Sequence, residues 1–514
     1  MLKKIFYLNK FSNLFFIFFV SCGFTICVVA QIATADNSVD RKNIEQVAEE
    51  SISKLIANVK LYTLDNGLRV VFYRRGTAPV FAGHLAVRVG GIDEPLGLTG
   101  VSHMFEHIAF KGTEEIGVSD PQLEKKLLAE VEKLALNERD NGFLSEAEKS
   151  EWDRLHRELN KIWKNNEFID LFEAHGGSEM NATTDKELTQ YFGKMPSNAF
   201  GFFAWFESER LARPSMRQFY KEREVVLEER LMRYGPPGGK LYEEFILAAF
   251  DLNPYRQPVI GFENDIRKLT ATETLKFKER FYVPSNMVLA IVGDIDPSIG
   301  IEQIERYFSR LPKGDPPARN YLSEPAKFAE KRVYLKAKAP PSMYVGYHKP
   351  VYPDQDDAKL AVMTEILAGD RDSFLKRELI DRRKLALQVE SNEGPGGLYP
   401  NLQIFFLVPQ APSDNHKLLA AFDELIERFK RDGPSAKELE IAKKSLAVSH
   451  LLLMNSNDGL ARNLASMLVS YNNLNSILDW YHQLLLVDKE DVVEVARKYL
   501  RNEFRIVAQL NEDK

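Results

Sequence analysis

Length and composition indicate a globular chain that is too long for a single hydrophobic core. Its 514 residues are 44% hydrophobic and 28% charged, which excludes an intrinsically disordered protein, and the length predicts about two to four domains. The formal net charge is −6 and no sustained basic stripe is present, so the sequence does not indicate a nucleic-acid-binding protein.

Residues 1–35 have the pattern of a signal peptide for export. Three lysines in the first ten residues precede the apolar run Leu14–Ala30, and Ala33-Thr34-Ala35 matches the small-x-small pattern of a signal-peptidase site. Cleavage after Ala35 would remove these lysines and no acidic residue, so the mature chain would be three units more negative. It would also remove both cysteines of the chain, so a mature protein in the periplasm would contain no disulfide.

Two alternatives to cleavage stay open. The apolar run is long for a signal peptide and would act as a membrane anchor if it is retained, although it is shorter than the ~20 residues of a usual span. Phe19-Val20-Ser21-Cys22 loosely resembles a lipoprotein site, but the apolar residues that follow Cys22 argue against lipidation. The prediction is therefore an exported, periplasmic protein that contacts a membrane only if the N-terminal segment is retained.

A polar leader and a β-hairpin follow the signal peptide. Residues 36–57 are polar with short helical periodicity and form the predicted leader. Two β-type runs then flank Asp65-Asn66-Gly67, whose Asn-Gly step favours a tight turn, so the sequence predicts a hairpin over Leu61–Phe72. Phe81–Val89 predicts a further strand.

The segment His103-Met104-Phe105-Glu106-His107 has the spacing of a metal-binding helix. In a helix its two histidines and its glutamate lie on one face, while Val101, Phe105 and Ile108 form an apolar stripe on the opposite face. Two histidines four residues apart can bind one Zn²⁺, and Glu106 can act on a catalytic water. Zinc in a hydrolase needs three protein ligands and an open position, so a third ligand must come from elsewhere in the chain.

Residues 120–165 predict a helical hairpin with a strongly charged outer face. Apolar residues recur at helical spacing from Leu123 to Leu134 and again from Trp152 to Ile162. Asn141-Gly142 interrupts the pattern between the two runs and indicates the turn. The charges are most simply a solvated surface.

A long helix beyond this hairpin contains the candidates for the third ligand. Ser215, with Gln218 three residues later, predicts a capping box at its start, and Gly235-Pro236 ends it after Tyr234. Four glutamates of this helix form two pairs, each on its own face: Glu222 with Glu229, and Glu224 with Glu228. Spacing alone does not choose between the two pairs.

The second half of the chain repeats the order of elements in the first. Val288–Val292 predicts a buried strand, and the proline-rich stretch 311–331 predicts a linker. Strands over Arg332–Ala337 and Met343–Tyr347 follow, then helices near 355–380 and 415–431, and a long helical stretch from 435 to the end. Strand, helix and strand in a similar order on both sides suggest two related halves.

These motifs together resemble the pitrilysin/insulinase family of zinc metallopeptidases, in the short branch that includes mitochondrial processing peptidases and bacterial relatives. Besides H-x-x-E-H, the helix segment from Glu222 to Glu229 is similar to the family pattern E-R-x-V-x-x-x-E. Gly176-Gly177 with Asn181-Ala182-Thr183 resembles the G-G-x-x-N-A-x-T strand of the family. Weaker matches, such as Val292-Gly293-Asp294, extend the resemblance over most of residues 58–514.

The resemblance implies an α+β fold of two related domains, each a mostly antiparallel sheet packed with helices, which together form one half of a clamshell. The catalytic zinc-binding domain would span residues 58–310, with the hairpin at 120–165 as an insertion beside the site. The linker 311–331 would lead to a second, homologous domain without metal at 332–514.

Matched residue by residue, the resemblance assigns roles at a site for one Zn²⁺ per chain. Glu229 becomes the third metal ligand beside His103 and His107, Glu106 the catalytic base, and Glu222 a catalytic-site carboxylate that supports the ligands.

The resemblance also implies how a peptide substrate is held. Asn181 and Ala182 would bind an extended peptide by adding it as a strand to their sheet. His175, beside Gly176-Gly177 in this region, is the one further histidine worth testing; the remaining ones read as structural or surface residues.

One departure from the family concerns the second half. Related chains that complete their own active site carry an Arg and, seven residues later, a Tyr, which here are replaced by Ile380 and Leu387. Either a homologous partner subunit supplies that pair, in a heterodimer or a homodimer, or Arg382 or Arg383 substitutes for it. The partner is the favoured interpretation.

The sequence thus predicts an exported zinc endopeptidase that hydrolyses peptides or unfolded polypeptide segments. The rival interpretation is a weakly catalytic or non-catalytic subunit of a peptidase heterodimer, and the presence of all four metal-site positions weighs against it. A hydrolase of non-peptide substrates is disfavoured by the resemblance of the substrate strand alone.

Overall fold

The structure, a computed structural model, describes residues 41–319, 322–325 and 329–513. The chain divides into two units, Met1–Ile52 and Ser53–Lys514. The predicted signal peptide lies outside the described residues. Helix α1 (Arg41–Asn58) covers most of the predicted leader 36–57 and ends one residue beyond it. No helix in the described ranges is both long and apolar enough to cross a membrane.

A six-stranded sheet organises the first half of the unit Ser53–Lys514. Its strands are β1 (Lys60–Thr63), β2 (Arg69–Arg74), β3 (Val80–Val87), β4 (Ser178–Thr184), β5 (Thr189–Pro196) and β6 (Met287–Gly293). They lie in the order β1-β2-β6-β3-β5-β4, and only β2 and β6 run parallel to each other. The predicted hairpin is confirmed, since Thr63 pairs with Arg69 across a turn in which Gly67 has a φ of +95°.

Ten helices follow α1 along the first half, and several of them pack on this sheet. They are α2 (Val101–Ile108), α3 (Pro121–Asn141), α4 (Glu146–Ile162), α5 (Glu167–Ala174), α6 (Phe200–Ala212), α7 (Phe219–Tyr234), α8 (Pro237–Ala249), α9 (Glu263–Lys268), α10 (Ala271–Phe281) and α11 (Pro297–Phe308). The predicted helical hairpin at 120–165 is confirmed as α3 and α4. Their short connection contains Gly142 at a φ of +83°.

The second half is built on a five-stranded sheet with the same topology. Its strands are β7 (Lys331–Ala337), β8 (Ser342–Lys349), β9 (Ala386–Gly394), β10 (Asn401–Pro409) and β11 (Ile506–Glu512). They lie in the order β7-β11-β8-β10-β9, with only β7 and β11 parallel. Strands β2 to β6 have this same order in the first sheet, so the two halves are related in topology.

The helices of the second half include one irregular segment. They are α12 (Asp356–Ala368), α13 (Phe374–Lys376), α14 (Asn415–Asp432), α15 (Ala436–Leu453), α16 (Asn457–Tyr471), α17 (Ser476–Leu486) and α18 (Lys489–Tyr499). A π-helix over Arg377–Arg382 continues α13. The prediction that the chain stays helical from 435 to its end was wrong for its last part, because β11 pairs there with both β7 and β8.

The two halves exchange helices across their boundary. Helix α16, from the second half, packs on β3 and β6 of the first sheet. Helix α8, from the first half, packs on β7, β8 and β11, and its buried residues Leu241 and Phe245 share a hydrophobic core with Leu402 and Ile506. The α+β prediction of two related, mostly antiparallel sheets packed with helices is confirmed, while the predicted domain boundaries stay a prediction.

Candidate metal centre

The H-x-x-E-H segment forms helix α2, as predicted. Val101, Phe105 and Ile108 are completely buried and fix one face of this short helix in the core. Its N-terminal end is capped by a residue that the sequence did not single out: the buried carboxylate of Glu94 accepts hydrogen bonds from the backbone N–H groups of Gly100 (2.7 Å) and Ser102 (2.8 Å).

Helix α7 brings one of the two glutamate pairs to α2. Val226 and Leu227 are buried and set the rotation of α7, which turns Glu222 and Glu229 towards the histidines. The other pair is exposed on a different part of the helix surface: Glu224 and Glu228.

The capping box predicted at the start of α7 was wrong. The helix begins at Phe219, and Gln218 precedes it in a left-handed conformation, with a φ of +57° and no side-chain hydrogen bond that caps the helix. The Gln218 amide instead donates to Asn165 Oδ1 at 2.8 Å.

Two imidazole nitrogens and one carboxylate oxygen converge between α2 and α7. Glu229 Oε2 lies 3.6 Å from His103 Nε2 and 3.5 Å from His107 Nε2. One ligand atom from each of these residues lies within 4.8 Å of the other two, the only such cluster among the described residues. This donor set fits a catalytic zinc ion, which takes three protein ligands of these types and keeps a fourth position open.

The ligands are themselves held by neighbouring charges. His107 Nδ1 lies 3.0 Å from Glu222 Oε1, so the carboxylate can fix the ring with its proton on Nδ1 and its Nε2 lone pair free. Lys111 Nζ balances the other oxygen of Glu222 at 2.6 Å. Arg233 contacts Glu229 Oε1 at 3.2 Å, which leaves Oε2 for the histidines.

The protonation of the metal-free site follows from burial and these contacts. Burial, together with the neighbouring His107, lowers the pKa of His103 to about 3. Burial also acts to lower the pKa of His107, but its hydrogen bonds with Glu222 and Glu229 outweigh burial and raise this pKa to about 9. Near neutral pH one proton therefore lies on His107, between two carboxylates, and a metal ion that binds must displace it.

Glu106 lies on the same face of α2 and has a partner that sequence reasoning missed. Thr184 Oγ1 on β4 donates to Glu106 Oε2 at 2.6 Å. Burial raises the pKa of Glu106, while the Thr184 hydrogen bond opposes this rise. The only available sequence signal was that Thr184 lies two residues after Ala182, on the same face of a strand.

The predicted substrate residues Asn181 and Ala182 lie on β4, at the edge of the first sheet. Strand β4 pairs with β5 on one side only. Asn181 is exposed and its Oδ1 accepts from the Ala182 N–H at 2.9 Å, while Ala182 is buried. His175 is engaged elsewhere: its ring stacks on Phe202 with centroids 3.7 Å apart, and its Nδ1 donates to the Leu171 carbonyl at 2.8 Å.

The positions of the missing Arg and Tyr are on the second half. Ile380 is half-buried in the π-helix, and Leu387 is 63% exposed on the edge strand β9. Arg382 is paired with Glu378 (2.6 Å), and Arg383 with both oxygens of Glu424 (2.8 Å each), so both arginines already have carboxylate partners.

Comparison with known proteins finds relatives that are named zinc proteases. Residues 268–446 match the family described as the peptidase M16 inactive domain. The chain is 26% identical over 455 residues to the zinc protease PqqE of Helicobacter pylori, covering 86% of this chain and 90% of that protein. The matched family segment begins after Glu229, so it contains none of the candidate metal ligands.

Two solved structures with the same fold are described as proteases. The crystal structure of a protease from Helicobacter pylori superposes with a TM-score of 0.74 at 24% identity, covering 88% of this chain and 99% of that chain. The periplasmic protease PqqL from Escherichia coli gives a TM-score of 0.66 at 19% identity, covering 88% of this chain and 47% of that chain. Residues 268–446 thus match the peptidase M16 inactive domain, and the resemblance of the chain to the pitrilysin/insulinase family is confirmed.

Proposed function

We propose that this chain is an exported zinc-dependent endopeptidase that hydrolyses peptides or unfolded polypeptide segments. The observation that carries the proposal is the convergence of His103, His107 and Glu229, with Glu106 on the same helix face. Such a set leaves the fourth position that a catalytic zinc ion needs. The similarity to a relative named a zinc protease supports the same activity.

Glu106 is the proposed base and acid of the reaction. A zinc ion held by the three ligands would polarise the scissile carbonyl and lower the pKa of a water molecule toward neutrality. Glu106 takes the proton from the attacking water and later gives it to the nitrogen of the leaving amine. Because Thr184 holds Oε2 of this carboxylate, Oε1 is the oxygen left for the proton transfer.

Glu222 acts through His107 and not on the substrate. Its hydrogen bond at 3.0 Å keeps the imidazole proton on Nδ1 and aims Nε2 at the metal position. The Lys111 ammonium at 2.6 Å offsets the negative charge of Glu222, as Arg233 does for Glu229.

The edge of β4 is the proposed binding surface for the substrate backbone. An extended peptide can add there as a further strand, since β4 has β5 on its other side. The Ala182 N–H now donates to Asn181 Oδ1, and a substrate carbonyl would replace that acceptor. Recognition through the backbone suits a peptidase for unfolded segments, because their N–H and C=O groups are free to pair, whereas most of those in a folded protein are already paired.

A homologous partner subunit is the proposed source of the Arg/Tyr pair. Arg382 and Arg383 are engaged with Glu378 and Glu424, which disfavours them as substitutes. In fold, this chain corresponds to 47% of PqqL, so a complete enzyme of that size would contain two such units. The proposed export to the periplasm rests on the pattern of residues 1–35 and on this similarity to a periplasmic protease.

The test is a matched pair of variants in residues 36–514. Glu106→Gln should keep bound zinc and lower the cleavage of an unstructured peptide by roughly 10²–10⁴-fold, the usual contribution of a general base. Glu228→Gln makes the same chemical change on an exposed part of α7 and should leave both zinc content and cleavage unchanged. Zinc is measured by elemental analysis of the purified protein.

The same assay separates this proposal from the non-catalytic alternative. Wild-type protein is assayed alone and with a homologous chain that carries the Arg/Tyr pair. Cleavage that appears only in the mixture, and is lost with Glu106→Gln, supports the partner-dependent enzyme. Zinc-free wild-type protein, or cleavage that Glu106→Gln leaves intact, contradicts the mechanism, and full activity of the chain alone contradicts the need for a partner.

A further inference from the structure

A single buried arginine joins three segments of the chain close to the metal centre. Arg217 is 2% exposed and lies just before α7. Its guanidinium binds Glu124 of the inserted hairpin through two hydrogen bonds, from Nε to Oε1 (2.6 Å) and from Nη2 to Oε2 (2.8 Å). Its other three hydrogen bonds go to backbone carbonyls of the loop that follows α2: Lys111 (2.7 Å), Ile116 (2.8 Å) and Thr113 (3.1 Å).

This arrangement uses all five N–H donors that a guanidinium has. A buried cation is unfavourable unless it is paired and fully hydrogen-bonded, and here both conditions are met. The local backbone is also shaped around it, because Gly112 and Gly117 adopt φ values of +97° and +96°. A Cβ atom would lie 2.7 Å from Arg217 Nη1 at Gly112 and 2.2 Å from it at Gly117, so the loop closes on the guanidinium only with glycine at these two positions.

The inserted hairpin contributes more than Glu124 to this contact. The indole N–H of Trp163, just after α4, donates to Glu124 Oε1 at 2.6 Å. Glu132 on α3 accepts hydrogen bonds from the Tyr220 hydroxyl (2.5 Å) and the Thr272 backbone N–H (2.9 Å). The hairpin therefore holds both Arg217 and the first turn of α7.

The segments that Arg217 joins are those that carry the metal ligands. The Lys111 carbonyl binds Arg217, and the Lys111 ammonium binds Glu222, which in turn holds His107. On the other side, Arg217 lies two residues before the first residue of α7, the helix that presents Glu222 and Glu229. A continuous chain of hydrogen bonds thus runs from Glu124 in the insertion to a metal ligand.

We propose that the inserted hairpin is a strut for the metal centre, in which Glu124 and Arg217 are positioning residues that fix α7 relative to α2. The inference rests on the proposed zinc site, since positioning is measured there by metal affinity. It gives the insertion a role in setting the distance between Glu229 and the two histidines, although none of its own residues contacts these ligands.

The experiment compares Glu124→Gln with Asp423→Asn. Both changes remove the charge from a carboxylate that pairs through two oxygens with a buried arginine; the second pair, Asp423 with Arg505, lies in the other half of the chain. Zinc affinity is measured for each folded variant by competition with a chromophoric chelator. Glu124→Gln should weaken zinc binding about tenfold, the lower end of the effect of residues that orient metal ligands, and Asp423→Asn should leave it unchanged.

Hydrogen exchange of the metal-free proteins supplies a readout that does not depend on zinc. Glu124→Gln should speed exchange in peptides covering 108–118 and 219–230, whereas Asp423→Asn should not. Arg217→Gln is a second test of the same strut and should change both readouts in the same direction as Glu124→Gln. If one variant does not fold, the other decides.

The outcomes are distinct. Unchanged zinc affinity and unchanged exchange in both segments would overturn the strut. Equal losses of zinc affinity in Glu124→Gln and Asp423→Asn would also overturn it, because the effect would then be general destabilisation. If wild-type protein binds no zinc, the proposed function fails, and the exchange data alone decide whether the hairpin fixes α7 relative to α2.

Discussion

Zinc binding to this chain should depend steeply on pH between 7 and 9. In the metal-free protein the pKa of His107 is raised to about 9 by its hydrogen bonds with Glu222 and Glu229, which outweigh the opposing effect of burial. Zinc needs the neutral imidazole, so at pH 7 only about one chain in a hundred is ready to bind. The apparent affinity should therefore rise about ninefold from pH 7 to 8 and about 50-fold from pH 7 to 9, which is ~2.3 kcal/mol over the range.

The sign of this dependence follows from which state binds the proton. Below pH 9 the metal-free chain carries one proton on His107 that the metal-bound chain lacks, so metal binding releases it and affinity rises with pH. His103 adds no such dependence in this range, because burial and the neighbouring His107 lower its pKa to about 3. The affinity should level off above pH 9.

Chelator-buffered zinc titrations at pH 6.5, 7.5, 8.5 and 9.5, together with calorimetry in two buffers of different ionisation enthalpy, measure the affinity and the released proton. Glu222→Gln is the informative variant, since it removes the charge that holds the proton on His107. Its affinity should level off at a lower pH, and the plateau should be about 10–100-fold weaker, because the ring is less well oriented. A wild-type affinity that is flat from pH 7 to 9, with no proton released, would refute the reasoning.

Three further predictions concern Glu106, helix α2 and the missing pair. Thr184→Val should lower kcat about tenfold with unchanged zinc content, because Glu106 loses a hydrogen bond of ~1.4 kcal/mol; a kcat equal to that of wild type would remove Thr184 from the mechanism. Glu94→Ala should lower the free energy of unfolding in urea by ~2 kcal/mol or more, because two buried N–H groups at the start of α2 lose their acceptor, and a loss below ~0.5 kcal/mol would contradict the cap. Ile380→Arg combined with Leu387→Tyr should raise peptide cleavage only where two chains associate, so that the second half of one chain completes the site of the other, and a gain of activity in the monomer would contradict delivery by a partner.

Local signals in the sequence explain which parts of the fold could be predicted. The Asn66-Gly67 turn and helix α2 depend on residues within a few positions of each other, and both were predicted with their neighbours. Strand β11 was missed because its partners, β7 and β8, lie more than a hundred residues earlier in the chain and give no local sign of the pairing.

The residues of the candidate site also divide into those that local spacing in the sequence predicts and those that it does not. The spacing within H-x-x-E-H gives the two histidines and Glu106, but the choice of Glu229 over Glu228 needed the family resemblance. The physical reason that Glu229, and not Glu228, faces the histidines is the burial of Val226 and Leu227, which sets the rotation of α7. Thr184 and Arg217 reach the site through contacts between distant segments, and no spacing rule predicts such contacts.

The exchange of helices between the two halves bears on how the site is completed. Helix α16 of the second half covers the first sheet, where Asp458 Oδ1 lies 2.8 Å from the buried His84 Nε2, and Arg69 donates to the Leu468 carbonyl at 2.7 Å. Helix α8 makes the reciprocal contact with the second sheet. Moving the second half of this chain over its own β4 edge would break these contacts, whereas a homologous second chain would not require that movement. The packing therefore supports the proposal that a partner subunit supplies the Arg and Tyr that Ile380 and Leu387 replace.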